Sequence, residues 1–115
     1  DAMAAASCPD GEYRLGKLKV RVRDGVPRLV SNKAIAGSTL TMDVAARRGR
    51  FELGMPWTQV ARASAGNAAT CMGLSNVGEI VVGKSADFAL LSYRGELSAV
   101  VKSGVVMPEV ATGTV

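Results

Sequence analysis

Few side chains in this sequence could carry chemistry. No histidine occurs among the 115 residues, so imidazole-activated nucleophiles and imidazole metal ligands are closed to these residues by themselves. Cys8 and Cys71 are the two thiols. With no secretory leader in view they read as reduced cytoplasmic thiols rather than a disulfide, and two sulfurs alone do not close a zinc site. Among the carboxylates, Asp1 reads on type and position alone as a solvated charge. Asp87 precedes an apolar run and reads as a turn or strand-edge residue making local hydrogen bonds. Asp10 and Glu12 read as loop charges, and Trp57, the methionines and both cysteines as packing residues.

Charge narrows the partners. Fourteen Lys and Arg stand against ten acids, a net +4. The dense basic run from Arg14 to Arg28 lacks stacking platforms, since aromatics are only 4% of the chain. It therefore reads as the solvated face of a hairpin, and nucleic acid is not expected as a partner.

The elements that must position these groups follow from periodicity. Leu18, Val20 and Val22 alternate with Lys19, Arg21 and Arg23, the pattern of a half-buried strand, and Asp24-Gly25 supplies a two-residue turn back along residues 26–30. Before it, the Ala-, Gly- and Pro-rich start reads as a loop. The spacing predicts a helix over 38–53, capped by Ser38 or Thr39 and closed by Gly54, with Gly49 weakening its last turns. A second helix is predicted over 56–64 behind Pro56, and a third, capped by Asn67 and ended by Gly73, through residue 72. From residue 77 short apolar runs at 79–82, 87–91, 97–101 and 105–107 alternate with turn residues, which predicts a small antiparallel meander or part of a sandwich. The tail 108–115 reads as frayed.

Length sets an upper bound on all of this. The size is that of one modest domain, too short for a complete eight-stranded α/β barrel of about 250 residues, and no run of about 20 apolar residues spans a membrane. The first residue is Asp1 and the first methionine Met3, so the chain reads as a piece of a longer polypeptide.

Three blocks, in order, carry a resemblance: DAMAAASCPDGEYRLG at 1–16, IAGSTLTMD at 35–43 and GEIVVGKSADFALLS at 78–92. Over about residues 1–107 the chain resembles the C-terminal third of the N-acetylglucosamine-6-phosphate deacetylases, members of the amidohydrolase superfamily. The last block is shared by many amidohydrolases, whereas the first two together are more specific to the deacetylases. The resemblance implies an α/β fold: the C-terminal part of a (β/α)8 TIM barrel plus part of a small β-sandwich domain. Residues 1–74 would supply the barrel part, comprising the end of strand 8, a β-hairpin insertion and closing helices. Residues 75–115 would supply the C-terminal half of the sandwich. Taken alone, the chain would read as α+β.

What the resemblance implies for chemistry is hydrolysis of an acetamido group, giving glucosamine 6-phosphate and acetate. A divalent metal, zinc before others, would activate water, and the position matching Asp1 would take the water's proton and return it to the leaving amine. The backbone of Ile35, Ala36 and Gly37 would border the sugar, with Gly37 admitting close main-chain approach. Ser38 and Thr39 would present free N–H groups to the same mouth. The family's metal ligands and phosphate-binding residues have no counterpart here, so these residues alone are expected to be inactive. The implied partners are an amino-sugar phosphate, the remainder of the same polypeptide and, at full length, a second copy in a homodimer. The implied location is the cytoplasm, with no membrane partner. Two departures stand out: Gly49 and Arg50 fall where apolar or helix-favouring residues are expected, and Asn32-Lys33 replaces an Asp-Gly-type turn. Two other readings remain open: an amidohydrolase acting on a cyclic amide or another acetamido sugar, and a free-standing basic binding module.

Overall fold

A computed structural model describes residues 1–108. The chain divides into two compact units, Asp1–Thr41 and Met42–Val115. The fraying expected of the tail falls, beyond Pro108, outside the described residues.

The first unit is built on an antiparallel meander of β1 (Gly11–Leu15), β2 (Leu18–Arg23) and β3 (Val26–Leu29), in that spatial order. Val20 and Val22 face the core while Lys19, Arg21 and Arg23 face solvent, as period-two alternation requires. Asp24 and Gly25 turn the chain with φ of 51° and 69°, the doubly positive geometry that matches strand twist. The hairpin is thus where the alternation places it, but β1 joins it from a stretch that reads as loop. Gly16, at φ 59°, makes the missed turn, and Leu15 then pairs with Leu18 and Tyr13 with Val20. Asp10 is no idle loop charge: its carboxylate accepts the backbone N–H groups of Asp24 and Gly25 and so closes the far turn. Glu12 likewise pairs with Arg21 directly across the strands, and that guanidinium holds its carboxyl below the usual range. Beneath the sheet lie Met3, Ala5, Val20, Val22 and Ala36, with Tyr13 and Leu29 packed against them.

In the second unit, α1 (Met42–Phe51) starts three residues later than a Ser38 cap would place it. Gly49 is buried, and a methyl there would sit 3.5 Å from Met55 Sδ and Val60 Cγ2, so its bare backbone is packed against neighbouring side chains. After Gly54, at φ 69°, α2 (Trp57–Ala61) begins behind Pro56 as predicted. The separate third helix is corrected. A π-helical turn over Arg62–Gly66 runs straight into α3 (Asn67–Cys71). Asn67 sits at φ −66° and ψ −38° inside this run and caps nothing. Small residues on one side explain the continuity: Gly78 lies against Ala65, Gly66 and Ala69. Gly73, at φ 67°, ends the run as expected.

A second antiparallel sheet contains β4 (Phe88–Leu91), β5 (Leu97–Lys102) and β6 (Val105–Val106). Asp87 is the structural residue its setting suggests. Its carboxylate accepts Lys102 Nζ at 2.6 Å and the Ser103 N–H at 2.7 Å, which closes the β5–β6 turn. The strand expected over 79–82 does not form. Apolar character gives a strand only where a ladder partner is at hand, and here Lys84 N–H turns back to the Val81 carbonyl instead. Cys8 and Cys71 are exposed free thiols rather than packing residues. Among the described residues, no helix is long and apolar enough to cross a membrane. Two small antiparallel sheets and a helical stretch between them in sequence make the described chain α+β.

Candidate functional site

Asp1, Ile35, Ala36 and Gly37, widely separated in sequence, come together within the first unit. Asp1–Met3 runs parallel to the chain at Ser38, through a bridge between Ala2 and Ser38. Two backbone hydrogen bonds make it: the Ser38 N–H donates to the Asp1 carbonyl at 2.7 Å, and the Met3 N–H donates to the Ser38 carbonyl at 2.9 Å. The Asp1 residue itself is exposed. Its main chain is fixed while its side chain stands at the surface of the unit.

The 35–39 segment is held at further points. Ala36 N–H donates to the Pro27 carbonyl at 3.0 Å, Ile35 bridges Arg28, and the Thr39 hydroxyl donates to the Gly25 carbonyl. The three neighbouring residues then do different things. Ala36 turns its methyl into the core and is 5% exposed, while Ile35 is 67% exposed, a large apolar side chain presented outward. Gly37 has φ 78°. A methyl on it would lie 3.0 Å from Met3 Cβ and 3.2 Å from the Asp1 carbonyl oxygen, so what the missing side chain admits, within this unit, is the Asp1–Met3 segment.

One expectation is corrected here. Ser38 does not offer a free N–H at a helix start, because that N–H is taken by Asp1. Its hydroxyl accepts the Leu40 N–H at 3.0 Å instead. A local turn of this kind competes with helix, and α1 accordingly begins only at Met42. Sequence reasoning also missed Met3 as a site-building residue. Its signal was present, an apolar side chain two residues from Asp1, but nothing local shows that it packs under Gly37.

Residues 6–107 match the amidohydrolase family. The chain belongs to that family. Among relatives, N-acetylglucosamine-6-phosphate deacetylase from Lysinibacillus sphaericus is 36% identical over 90% of this chain and 27% of its own length. The crystal structure of N-acetylglucosamine-6-phosphate deacetylase from Thermotoga maritima superposes with a TM-score of 0.80 at 38% identity, over 92% of this chain and 29% of that one. A Mycobacterium smegmatis N-acetyl-D-glucosamine-6-phosphate deacetylase variant, in complex with N-acetyl-D-glucosamine-6-phosphate, gives 0.78 at 34% identity over 91% of this chain and 28% of that one. This amidohydrolase chain therefore spans a little over a quarter of the length of these relatives.

Amidohydrolases generally bind a divalent metal. Among the described residues of this one, no group of three or more His, Cys, Asp and Glu side chains is placed to hold such an ion. Asp1 brings a single carboxylate to the site, and the segment beside it brings backbone and the apolar Ile35. This arrangement can take or give one proton and border a ligand. It does not constitute a metal centre by itself.

Proposed function

We propose that this chain is the C-terminal portion of an N-acetylglucosamine-6-phosphate deacetylase, hydrolysing the acetamido group to yield glucosamine 6-phosphate and acetate. The observation that carries this reading is the joining of the Asp1–Met3 segment to Ser38 by two backbone hydrogen bonds, one accepted by the Asp1 carbonyl and one donated by the Met3 N–H. It ties the main chain of the residue that bears the carboxylate to the stretch that, in this reading, borders the sugar. Likeness to deacetylases over nine-tenths of the chain supports it. In the same reading the chain completes a (β/α)8 barrel with residues 1–74 and a β-sandwich with residues 75–115.

Asp1 is the catalytic acid and base in this reading. It accepts a proton from the water that attacks the amide carbonyl carbon, then gives it to the nitrogen as the C–N bond breaks. An amine leaves poorly unless protonated, so one group serving both steps is economical. Ile35, Ala36 and Gly37 border the sugar. Ile35 offers an apolar surface and Gly37 a backbone without a side chain in the way. A divalent metal, zinc before others, belongs to this reading and supplies polarisation of the carbonyl and water when bound. Its ligands would come from outside these residues, as would the groups that hold the phosphate. The remaining partners of the proposal are the rest of the polypeptide and a second copy in a homodimer, in the cytoplasm.

The deciding experiment is Asp1→Asn in the full-length polypeptide. Amide replaces carboxylate at nearly equal size, so kcat should fall roughly 100-fold to 10,000-fold while KM for N-acetylglucosamine 6-phosphate changes little. Rates equal to wild type at matched metal content would remove Asp1 from the mechanism.

A further inference from the structure

From the contacts of Gly37 we infer that it is a positioning residue for Asp1, acting through the backbone rather than chiefly by admitting the ligand. The inference rests on Asp1 being the proton-transfer group. Gly37 lies against the Asp1–Met3 segment. With φ 78°, an added Cβ would meet Met3 Cβ at 3.0 Å, the Asp1 carbonyl oxygen at 3.2 Å and Met3 Cγ at 3.3 Å.

None of these neighbours can yield cheaply. Met3 is 7% exposed and lies in the core with Ala5, Val20, Val22 and Ala36. The Asp1 carbonyl is bound to the Ser38 N–H at 2.7 Å, and the Met3 N–H to the Ser38 carbonyl at 2.9 Å. The 35–39 segment is itself tied to Pro27 and Gly25. A methyl at 37 therefore pushes Asp1–Met3 by a few tenths of an ångström against those ties and lengthens the hydrogen bonds flanking it. One of the displaced atoms is the Asp1 carbonyl oxygen and the other two belong to the Met3 side chain, so the shift reaches the Asp1 carboxylate through the main chain of residues 1–3. Proton transfer tolerates such displacement poorly, because reacting atoms must lie within hydrogen-bond reach.

The test compares three variants of the full-length polypeptide. Gly37→Ala should lower kcat about 10-fold to 100-fold with KM for N-acetylglucosamine 6-phosphate within about threefold of wild type. Gly37→Asn places the same Cβ but tolerates positive φ better, and should show the same kcat loss in a better-folded protein. Gly16→Ala is the control: at φ 59° it carries the same kind of backbone strain, with nothing within 4 Å of its added methyl. It should leave kcat and KM unchanged once activity is normalised to folded protein. A raised KM with kcat intact in the Gly37 variants would make Gly37 a ligand-bordering residue alone and overturn the inference. Failure of both Gly37 variants to fold, judged by thermal melting, would make it a folding residue and overturn it equally. Wild-type rates in Asp1→Asn would instead defeat the reading beneath it, a separate outcome.

Discussion

The first unit gathers five buried residues, Met3, Ala5, Val20, Val22 and Ala36, into one cluster under a three-stranded sheet. Among the described residues, the second has only Val60 and Ala69 as buried apolar side chains, while Ile80, Val82, Met72 and Leu53 are each more than 70% exposed. The second unit is nonetheless the larger and carries both the helical run and a sheet of its own. Sheets and helices are stable only when their apolar faces are covered. The first unit meets that condition in part from within, leaving Leu15, Leu18, Val26 and Ile35 exposed, and carries Asp1 and the 35–39 segment. The second leaves a surface of the kind that marks an interface, which in the proposed enzyme the rest of the polypeptide would cover.

Where the second unit does pack well, it does so through glycines, and the largest expected effect lies there. A methyl on Gly78 would stand 2.6 Å from Ala69 Cβ and 3.2 Å from the Ala65 carbonyl, at φ 88°. Gly78→Ala should therefore destabilise the helical run by about 3 kcal/mol, overpacking and left-handed strain together. Gly83→Ala, at φ 93° with open space around it, should cost only the strain, about 1–2 kcal/mol. Denaturant melts of the two variants giving equal losses would mean that the Gly78 contact is not a packing contact.

The next comparison sets one unit's core against the other's surface. Val20, fully buried, should cost about 2 kcal/mol when replaced by Ala. Val82 is fully exposed, and Val82→Ala in the 115-residue chain should stay within about 0.5 kcal/mol of neutral. In the full-length polypeptide the same substitution should cost more if that surface is covered there. Calorimetry showing no difference between the two contexts would break the contrast between the units.

The smallest effect is electrostatic and distinguishes the ion pairs. Glu12 is held below the ordinary carboxylate range by Arg21, Glu79 by Lys84, and Asp87 by Lys102 together with the Ser103 N–H. Each folded-state pKa is depressed, so the stability these carboxylates contribute is present above their unfolded values and is lost as pH falls through the folded ones. All three lie at the surface, where screening keeps the contribution small. Carboxyl NMR titration should place their midpoints below those of unpaired carboxylates. Lys102→Ala should raise the Asp87 midpoint without moving Glu12 or Glu79. An unmoved Asp87 would assign its shift to the Ser103 N–H and the Ser85 hydroxyl.

Much of the fold was legible because short-range rules governed it. Period-two alternation and Asp24-Gly25 specified the β2–β3 hairpin, Pro56 and Gly73 the limits of the helical run, and Ser103-Gly104 the last turn, all through dihedral preferences residues carry with them. Gly16 could have announced β1 by the same logic, but the polar residues around it masked a strand that is only half-buried. Asn67 misled in the opposite way, since a residue with cap preference stayed helical where small neighbours let the run continue. The apolar run at 79–82 met no ladder partner and stayed out of any strand.

The site divides along the same line. Sequence by itself determined which residues are available: no imidazole, a carboxylate at Asp1 opening the first block, and a glycine at position 37 in the IAGSTLTMD block that any close approach would require. Tertiary structure alone decided that the two blocks meet, that the Ser38 N–H is spent on Asp1 rather than left free, and that the atoms approaching Gly37 are those of Asp1 and Met3. Residues so far apart in the chain share no local preference. Their pairing is set by a core cluster and two backbone hydrogen bonds, which exist only once the sheet between them has formed.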